Sequence, residues 1–208
     1  MTSNNLFELI HQDEHLLVVA KPAGLLAVPG RGTDKQDCLS ARLQKEFPDS
    51  LVVHRLDMST SGLMLFARSA EMQSRLSHMF REREVAKRYV AIVAGQLDQD
   101  AGEINLPLLS DWPNRPKQKV DIAHGKPSLT RYRVLSRDAG SSRVELEPIT
   151  GRTHQLRLHM SAIGHPILGD ALYGDIASAP RLLLHACSLN FVHPASGESL
   201  QLASVPPF

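Results

Sequence analysis

Apolar residues arrive in this chain as short runs separated by polar clusters, and the period inside each run predicts the element. LFELI and LLVVAK (residues 6–10 and 16–21) are strand-like and flank HQDEH, which predicts a hairpin; KPAGLLAVPGRGTDK follows as a Pro- and Gly-rich loop. In DCLSARLQKEF, Leu39, Leu43 and Phe47 recur at i, i+4 and i+8, the spacing of a short amphipathic helix. GLMLFARS reads as a strand. SAEMQSRLSHMFRERE places Met72, Leu76, Met79 and Phe80 at helical spacing behind Ser69, a candidate N-cap, with the methionines as core filling. VAKRYVAIVAG (residues 85–95), rich in β-branched residues, returns to strand and closes at Gly95. LTRYRVL and SRVELEPI alternate, with Thr130, Tyr132 and Val134 opposite Arg131 and Arg133, and Val144 and Leu146 opposite Arg143, Glu145 and Glu147. Such alternation fits antiparallel strands with one wet face. Helices interrupt the strands without a regular βαβ beat, so the expected class is α+β, one domain over residues 1–208 around a mixed, largely antiparallel sheet with flanking helices.

Composition adds bounds. A chain of 208 residues, 42% of them hydrophobic, can bury a core. No apolar run approaches the roughly 20 residues that span a bilayer, and MTSNNLFELIHQDEH lacks a basic segment followed by an apolar one, so the expected location is the cytoplasm. Cys38 and Cys187 form no CxxC pair and read as buried or incidental thiols. The formal net charge is only +1, yet REREVAKR (residues 81–88) and NRPKQK (residues 114–119) gather Arg81, Arg83, Lys87, Arg88, Arg115, Lys117 and Lys119. These are either solvated faces or a footprint for nucleic acid, since phosphate contacts need clustered cations rather than a high total.

Two stretches carry candidate chemistry. VVHRLDMSTSGLMLFARS (residues 52–69) turns a strand-like run into a polar corner with His54, Arg55 and Asp57, then resumes the strand. In ITGRTHQLRLHMSAIGHPILGD (residues 149–170), Thr153 is a candidate cap for a helix. Leu156, Met160 and Ile163 form its core stripe, and His154, Arg157 and Ser161 fall on another face. That polar stripe either faces solvent or fixes the Arg157 guanidinium for a carboxylate such as Asp57. The kinase reading falls away, while a glycosidase and a metal site stay open as weaker readings. HRLD exchanges the Asp and Leu of the kinase loop, and neither a glycine-rich phosphate loop nor DFG is present. A glycosidase needs a second carboxylate, for which Glu82, Glu84 and Asp170 are distant candidates. His154 and His159 are five apart, unlike the i, i+4 pair of a helical zinc site, so no metal is expected.

HRLDMSTSG, REVAKRYVAIVAG, GRTHQLRLHM, GHPILGD and RLLLHA occur in that order, after DEHLLVVAKPAGLLAVPG. The set resembles the RluA family of pseudouridine synthases over nearly the whole chain, from about residue 6 onward. The resemblance implies that fold, isomerisation of uridine in RNA, no cofactor, and RNA as partner without membrane or metal; a monomer is expected. DWPNRPKQKV resembles one branch of the family, which implies a hairpin of large-subunit ribosomal RNA and the anticodon stem-loop of certain tRNAs as substrates. By position in the motifs, the resemblance implies that Asp57 is the reactive carboxylate, adding to C1′ or assisting proton removal from the sugar, and that Arg157 keeps it ionised. It also implies the base-side roles. Tyr89 lies beneath the target base, where its residue type alone fits a core aromatic equally well, and Arg55 fills the gap left by a flipped uridine. Leu184 matches an apolar wall of the pocket or simply packs in the core. Thr60 and Ser61 hold the turn. The RNA-facing set is thus His54, Arg55, Thr60, Leu184, Arg88, Lys117 and Lys119. The alternative from a different class is a non-catalytic RNA-binding or ribosome-assembly module with the same fold.

Overall fold

The computed structural model describes residues 7–208, so Leu6, the first residue of the expected hairpin, lies outside the described residues. In chain order the elements are β1 (Glu8–Gln12), β2 (Leu16–Lys21), α1 (Leu39–Glu46), β3 (Leu51–Val52), β4 (Ser61–Ala67), α2 (Ala70–Glu82), β5 (Ala86–Ala94) and β6 (Ala101–Asn105). There follow β7 (Leu108–Ser110), β8 (Gln118–Val120), β9 (Leu129–Asp138), β10 (Ser141–Pro148), α3 (Gln155–Ala162), β11 (Leu184–Val192) and β12 (Ser199–Ala203). The fold is α+β, and its strands pair mostly antiparallel. The chain divides into two compact units, residues 7–87 with 186–207, and residues 88–185 with Phe208.

In the first unit β2 lies between β1 and β4, antiparallel to both. Asp13 closes the β1–β2 turn by accepting from the N–H groups of His15 and Leu16 at 2.7 and 2.8 Å, an Asx turn. β4 buries every residue, so it reads as a continuous apolar run rather than an alternating one. α2 starts where Ser69 Oγ accepts from the Met72 N–H at 3.1 Å and ends at Arg83 in a left-handed cap. Its buried face, Met72, Leu76 and Met79, packs with Leu16, Val18, Leu63 and Leu65 in the first core. α1 is capped by the buried Cys38, whose Sγ accepts from the Ala41 N–H.

In the second unit the strand order is β5-β10-β9-β6, all antiparallel neighbours. Ala91, Val93, Val144, Leu146, Leu156 and Met160 make its core. β7 and β8 form a separate two-stranded ribbon. Two expectations about α3 are corrected. Thr153 does not cap it: the helix begins at Gln155, and the residue before it, His154, adopts φ 54° and ψ 17° with no side-chain cap. Ile163 is not core; it follows the helix end and is 36% exposed.

Candidate active site

The polar corner between β3 and β4 is held from several sides, and the hold is backbone-directed. The carbonyl of Asp57 accepts from the Thr60 N–H at 3.1 Å, which makes the turn. The carbonyl of Met58 accepts from the Gly24 N–H at 2.8 Å and from the Lys21 ammonium at 3.0 Å. Lys21 is 1% exposed, and its Nζ also donates to the carbonyls of Pro22 and Leu25, both at 2.8 Å. A lysine ammonium has three N–H donors, and burial without partners is costly enough to shift the group to neutral. Three converging carbonyls answer that cost here and tie the residue after Asp57 to the end of β2. In the β2–β4 register Lys21 stands opposite Gly62. Gly62 has φ +112°, and a Cβ there would lie 2.3 Å from the Ala186 carbonyl oxygen, so only glycine lets β4 start at this point.

His54 is part of this scaffold. Its Nε2 accepts the Leu65 N–H at 2.9 Å, which makes the neutral ring the Nδ1–H tautomer, and the ring stacks on Phe80 with centroids 4.4 Å apart. Burial, with a smaller push from the Lys87 charge, takes its pKa down to about 3. The ring is therefore neutral across the physiological range, and the contact with RNA expected of it has only the Nδ1 edge left. Thr60 is 3% exposed, so it holds the turn and offers little surface. Asp57 is half-buried, while Arg55 and Met58 are exposed. Arg55 has no hydrogen-bond or ion-pair partner among the described residues, which leaves its guanidinium available.

In the second unit α3 carries a polar network inside rather than outside. Gln155 donates to the Leu129 carbonyl at 2.9 Å and to Thr130 Oγ1 at 3.0 Å, and its Oε1 accepts from Thr150 Oγ1 and the Arg152 N–H at 2.7 and 3.0 Å. His159 is fully buried; its Nε2 donates to the Leu106 carbonyl, its Nδ1 accepts from Thr130 Oγ1, both at 2.9 Å, and burial lowers its pKa. Arg157 is buried in a two-point pair with Asp170, Nε to Oδ2 at 2.8 Å and Nη2 to Oδ1 at 2.7 Å. The solvent-facing reading of the His154, Arg157 and Ser161 stripe is thereby overturned. His154 Nδ1 lies 2.8 Å from Tyr173 Oη, and Ser161 Oγ donates to the Tyr173 carbonyl at 2.8 Å, so the stripe docks the loop after α3 that carries Asp170 and Tyr173.

Tyr173 reaches further. Its hydroxyl accepts from the Gln118 N–H at 2.7 Å, which anchors β8 of the ribbon to α3. Lys117 and Lys119 flank that anchor and are exposed, with Lys119 3.2 Å from Asp121. Arg88 on β5 pairs with Glu145 at 2.5 Å, and Glu145 also meets Arg133 at 3.1 Å. Tyr89 is half-buried against the second core, and Leu184 is a buried member of it. Lys21, Gln155, Asp170 and Tyr173 carry these sites and were not singled out for such roles from sequence. Lys21 offered one signal, a lysine that ends an otherwise apolar strand directly before Pro-Ala-Gly.

Among the described residues no group of His, Cys, Asp and Glu is arranged to hold a metal ion, and no helix is long and apolar enough to cross a membrane. The family model for RNA pseudouridylate synthase matches residues 15–162. The chain belongs to the RNA pseudouridylate synthase family. Within that family it is 53% identical over 193 residues to the dual-specificity RNA pseudouridine synthase RluA of Yersinia pestis, covering 91% of this chain and 94% of the relative. The protein of the same name from Escherichia coli (strain K12) is 49% identical over 204 residues, covering 96% and 93%. Among solved structures, human RNA pseudouridylate synthase domain containing 1 superposes with a TM-score of 0.81 at 30% identity, covering 100% of this chain and 87% of that one. The family membership and the α+β class both agree with the resemblance read from the motifs.

Proposed function

We propose that this chain isomerises specific uridines to pseudouridine in RNA, in a hairpin of large-subunit ribosomal RNA and in the anticodon stem-loop of certain tRNAs, with residues 1–208 acting as one catalytic module. The observation that carries this reading is the likeness, over nearly the whole chain, to synthases whose names state dual specificity. The reaction breaks the C1′–N1 bond, turns the uracil, joins C5 to C1′ and moves a proton from C5 to solvent while N1 gains one. Redox state does not change, so side chains suffice for the chemistry.

In this reading Asp57 is the reactive carboxylate. Its support is the corner itself: Lys21, Thr60 and Gly62 fix the backbone on either side, which is the preorganisation that a nucleophile or base needs. Tyr89 serves the base through its ring face and hydroxyl. Arg157, immobilised by Asp170, supplies a fixed positive charge to the reaction. Arg55, exposed two residues before Asp57, is the side chain that replaces the extruded uridine in its stack. Extrusion costs a few kcal/mol and least where the base is already poorly paired, which favours hairpin loops. Lys117, Lys119 and Arg88 supply phosphate contacts. Enzyme and substrate meet in the cytoplasm, and the working unit is the monomer.

Incubating the protein with transcripts of ribosomal RNA and tRNA, then mapping pseudouridine at single-nucleotide resolution, tests the dual specificity. Modification of both RNA classes is expected; modification of one alone would reduce the proposal to single specificity, and of neither would overturn it.

A further inference from the structure

Between β7 and β8 the chain forms a tight loop whose most prominent side chain is an indole in water. Trp112 is 67% exposed and is the chain's one tryptophan. Leaving so large an apolar ring in solvent forgoes the burial that most tryptophans obtain, which makes its position informative. The loop beneath it is well closed. The Asn114 N–H donates to the Asp111 carbonyl, the Lys117 N–H to the Asn114 carbonyl and the Asp111 N–H to the Lys117 carbonyl, all at 3.0 Å. Pro113 and Pro116 restrict the backbone further, and the Gln118–Tyr173 bond anchors the exit. The ring is therefore presented on a fixed support, so a ligand that docks on it pays little ordering entropy.

One face of the ring is already covered. The guanidinium carbon of Arg115 lies 3.0 Å from the ring centroid, well inside cation–π range. The segment that carries the ring, residues 107–127, is cationic in sequence: Arg115, Lys117, Lys119 and Lys126 against Asp111 and Asp121. Asp121 is engaged by Lys119 and His124, and Asp111 accepts from Asn114 Nδ2 at 2.9 Å. Lys117 is exposed with no side-chain partner among the described residues.

From this arrangement we propose that Trp112, backed by Arg115, is a stacking platform for an unpaired nucleobase of the RNA substrate, with Lys117 on the adjoining phosphate. The proposal rests on RNA being the substrate. An aromatic face is matched by any base, and a stacked guanidinium extends the platform while drawing the strand's charge. A purely apolar protein partner would not call for a guanidinium stacked on the ring and an exposed lysine in the same loop.

Because Trp112 is the only tryptophan, its emission reports on this platform alone. An anticodon stem-loop RNA titrated into the protein should quench that emission, with a midpoint matching the Kd from filter binding. Trp112→Ala should weaken RNA binding by about 5- to 150-fold, the equivalent of roughly 1–3 kcal/mol for one stacked base. The loss should fall chiefly in KM, Trp112→Tyr should restore most of it, and the salt dependence should keep the parent slope because the indole contacts no phosphate. Parent protein that binds and modifies this RNA with unchanged emission, together with parent-like binding by Trp112→Ala, overturns the platform and leaves the proposed function standing. Protein that neither binds nor modifies the RNA overturns both. Loss of self-association in Trp112→Ala with RNA binding intact assigns the ring to a protein interface and likewise overturns the platform.

Discussion

Arg157 and Asp170 meet in a two-point pair, Nε to Oδ2 at 2.8 Å and Nη2 to Oδ1 at 2.7 Å, with both side chains buried. Burial alone would raise the Asp170 pKa. The hydrogen bond and charge of Arg157, with the N–H groups of Leu172 and Tyr173, outweigh it and hold the carboxyl below its ordinary value. The pair therefore fixes the plane of the guanidinium, which a lysine at that position could not do.

Asp170→Asn should cost about 3 kcal/mol of stability by chemical denaturation, since it turns an amide N–H₂ toward a buried guanidinium and removes the anionic half of the two-point pair. Asp170 has a lowered pKa when folded, so its contribution is present above its unfolded pKa of about 3.9 and fades as pH falls through the folded value. The gap between parent and variant should accordingly narrow in acid. A cost below about 1 kcal/mol at neutral pH would show that the pair is energetically idle.

Lys21→Met keeps the length of the side chain and removes the ammonium that draws the carbonyls of Pro22, Leu25 and Met58 together. Stability should fall by about 1–3 kcal/mol, the cost of orphaning buried polar groups, and turnover should fall more than RNA affinity because the corner presenting Asp57 loosens. Parent turnover in a folded Lys21→Met protein would separate Lys21 from the site.

His54 titrates in the unfolded chain near pH 6.5 and in the folded chain near 3. Between those values the unfolded state holds more protons, so stability falls as pH drops from 6.5 toward 3, by up to about 1.4 kcal/mol per pH unit from this one group. His54→Gln can still accept the Leu65 N–H but does not titrate there. Its stability should lose less than the parent's between pH 6.5 and 4 in thermal unfolding; identical acid sensitivity would count against the assigned tautomer and burial.

Tyr173→Phe keeps the ring and deletes the hydroxyl that takes the Gln118 N–H at 2.7 Å and meets His154 at 2.8 Å. Freeing β8 should weaken RNA binding several-fold, and Lys117→Ala should then cost less in the Tyr173→Phe background than in the parent. Strict additivity of the two changes would indicate that Tyr173 does not position the ribbon.

Much of this architecture was legible in residue order because its causes are local. The β1–β2 hairpin, β4, α2 with its Ser69 cap, and the alternating β9 and β10 follow from periodicity and cap chemistry. β6, β7, β8, β11 and β12 were not read as strands. β7 and β8 are three residues each, too short for a period, and β11 buries neighbouring residues without clean alternation. Thr153 carried the residue type of a cap, but the chain enters α3 through His154 in a left-handed conformation that no propensity announces. Asp57 stood out because a polar corner interrupts two apolar runs. Asp170 and Tyr173 did not, since what they do depends on a partner reached only through tertiary structure, as with the Tyr173 contact to Gln118 across 55 positions.

If Asp57 drives an isomerisation, the fate of the hydrogen on C5 reports it directly. Joining C5 to C1′ makes C5 tetrahedral, and restoring the ring expels that hydrogen to water. Hairpin RNA carrying uridine tritiated at C5 should therefore release tritium to solvent with the parent protein. Asp57→Asn should lower that release by at least about a thousandfold while binding the same RNA, since it keeps the shape and loses the charge. The strand should stay intact, with no free uracil and no abasic site. Recovery of free tritiated uracil, or release by Asp57→Asn within tenfold of the parent, would contradict the account.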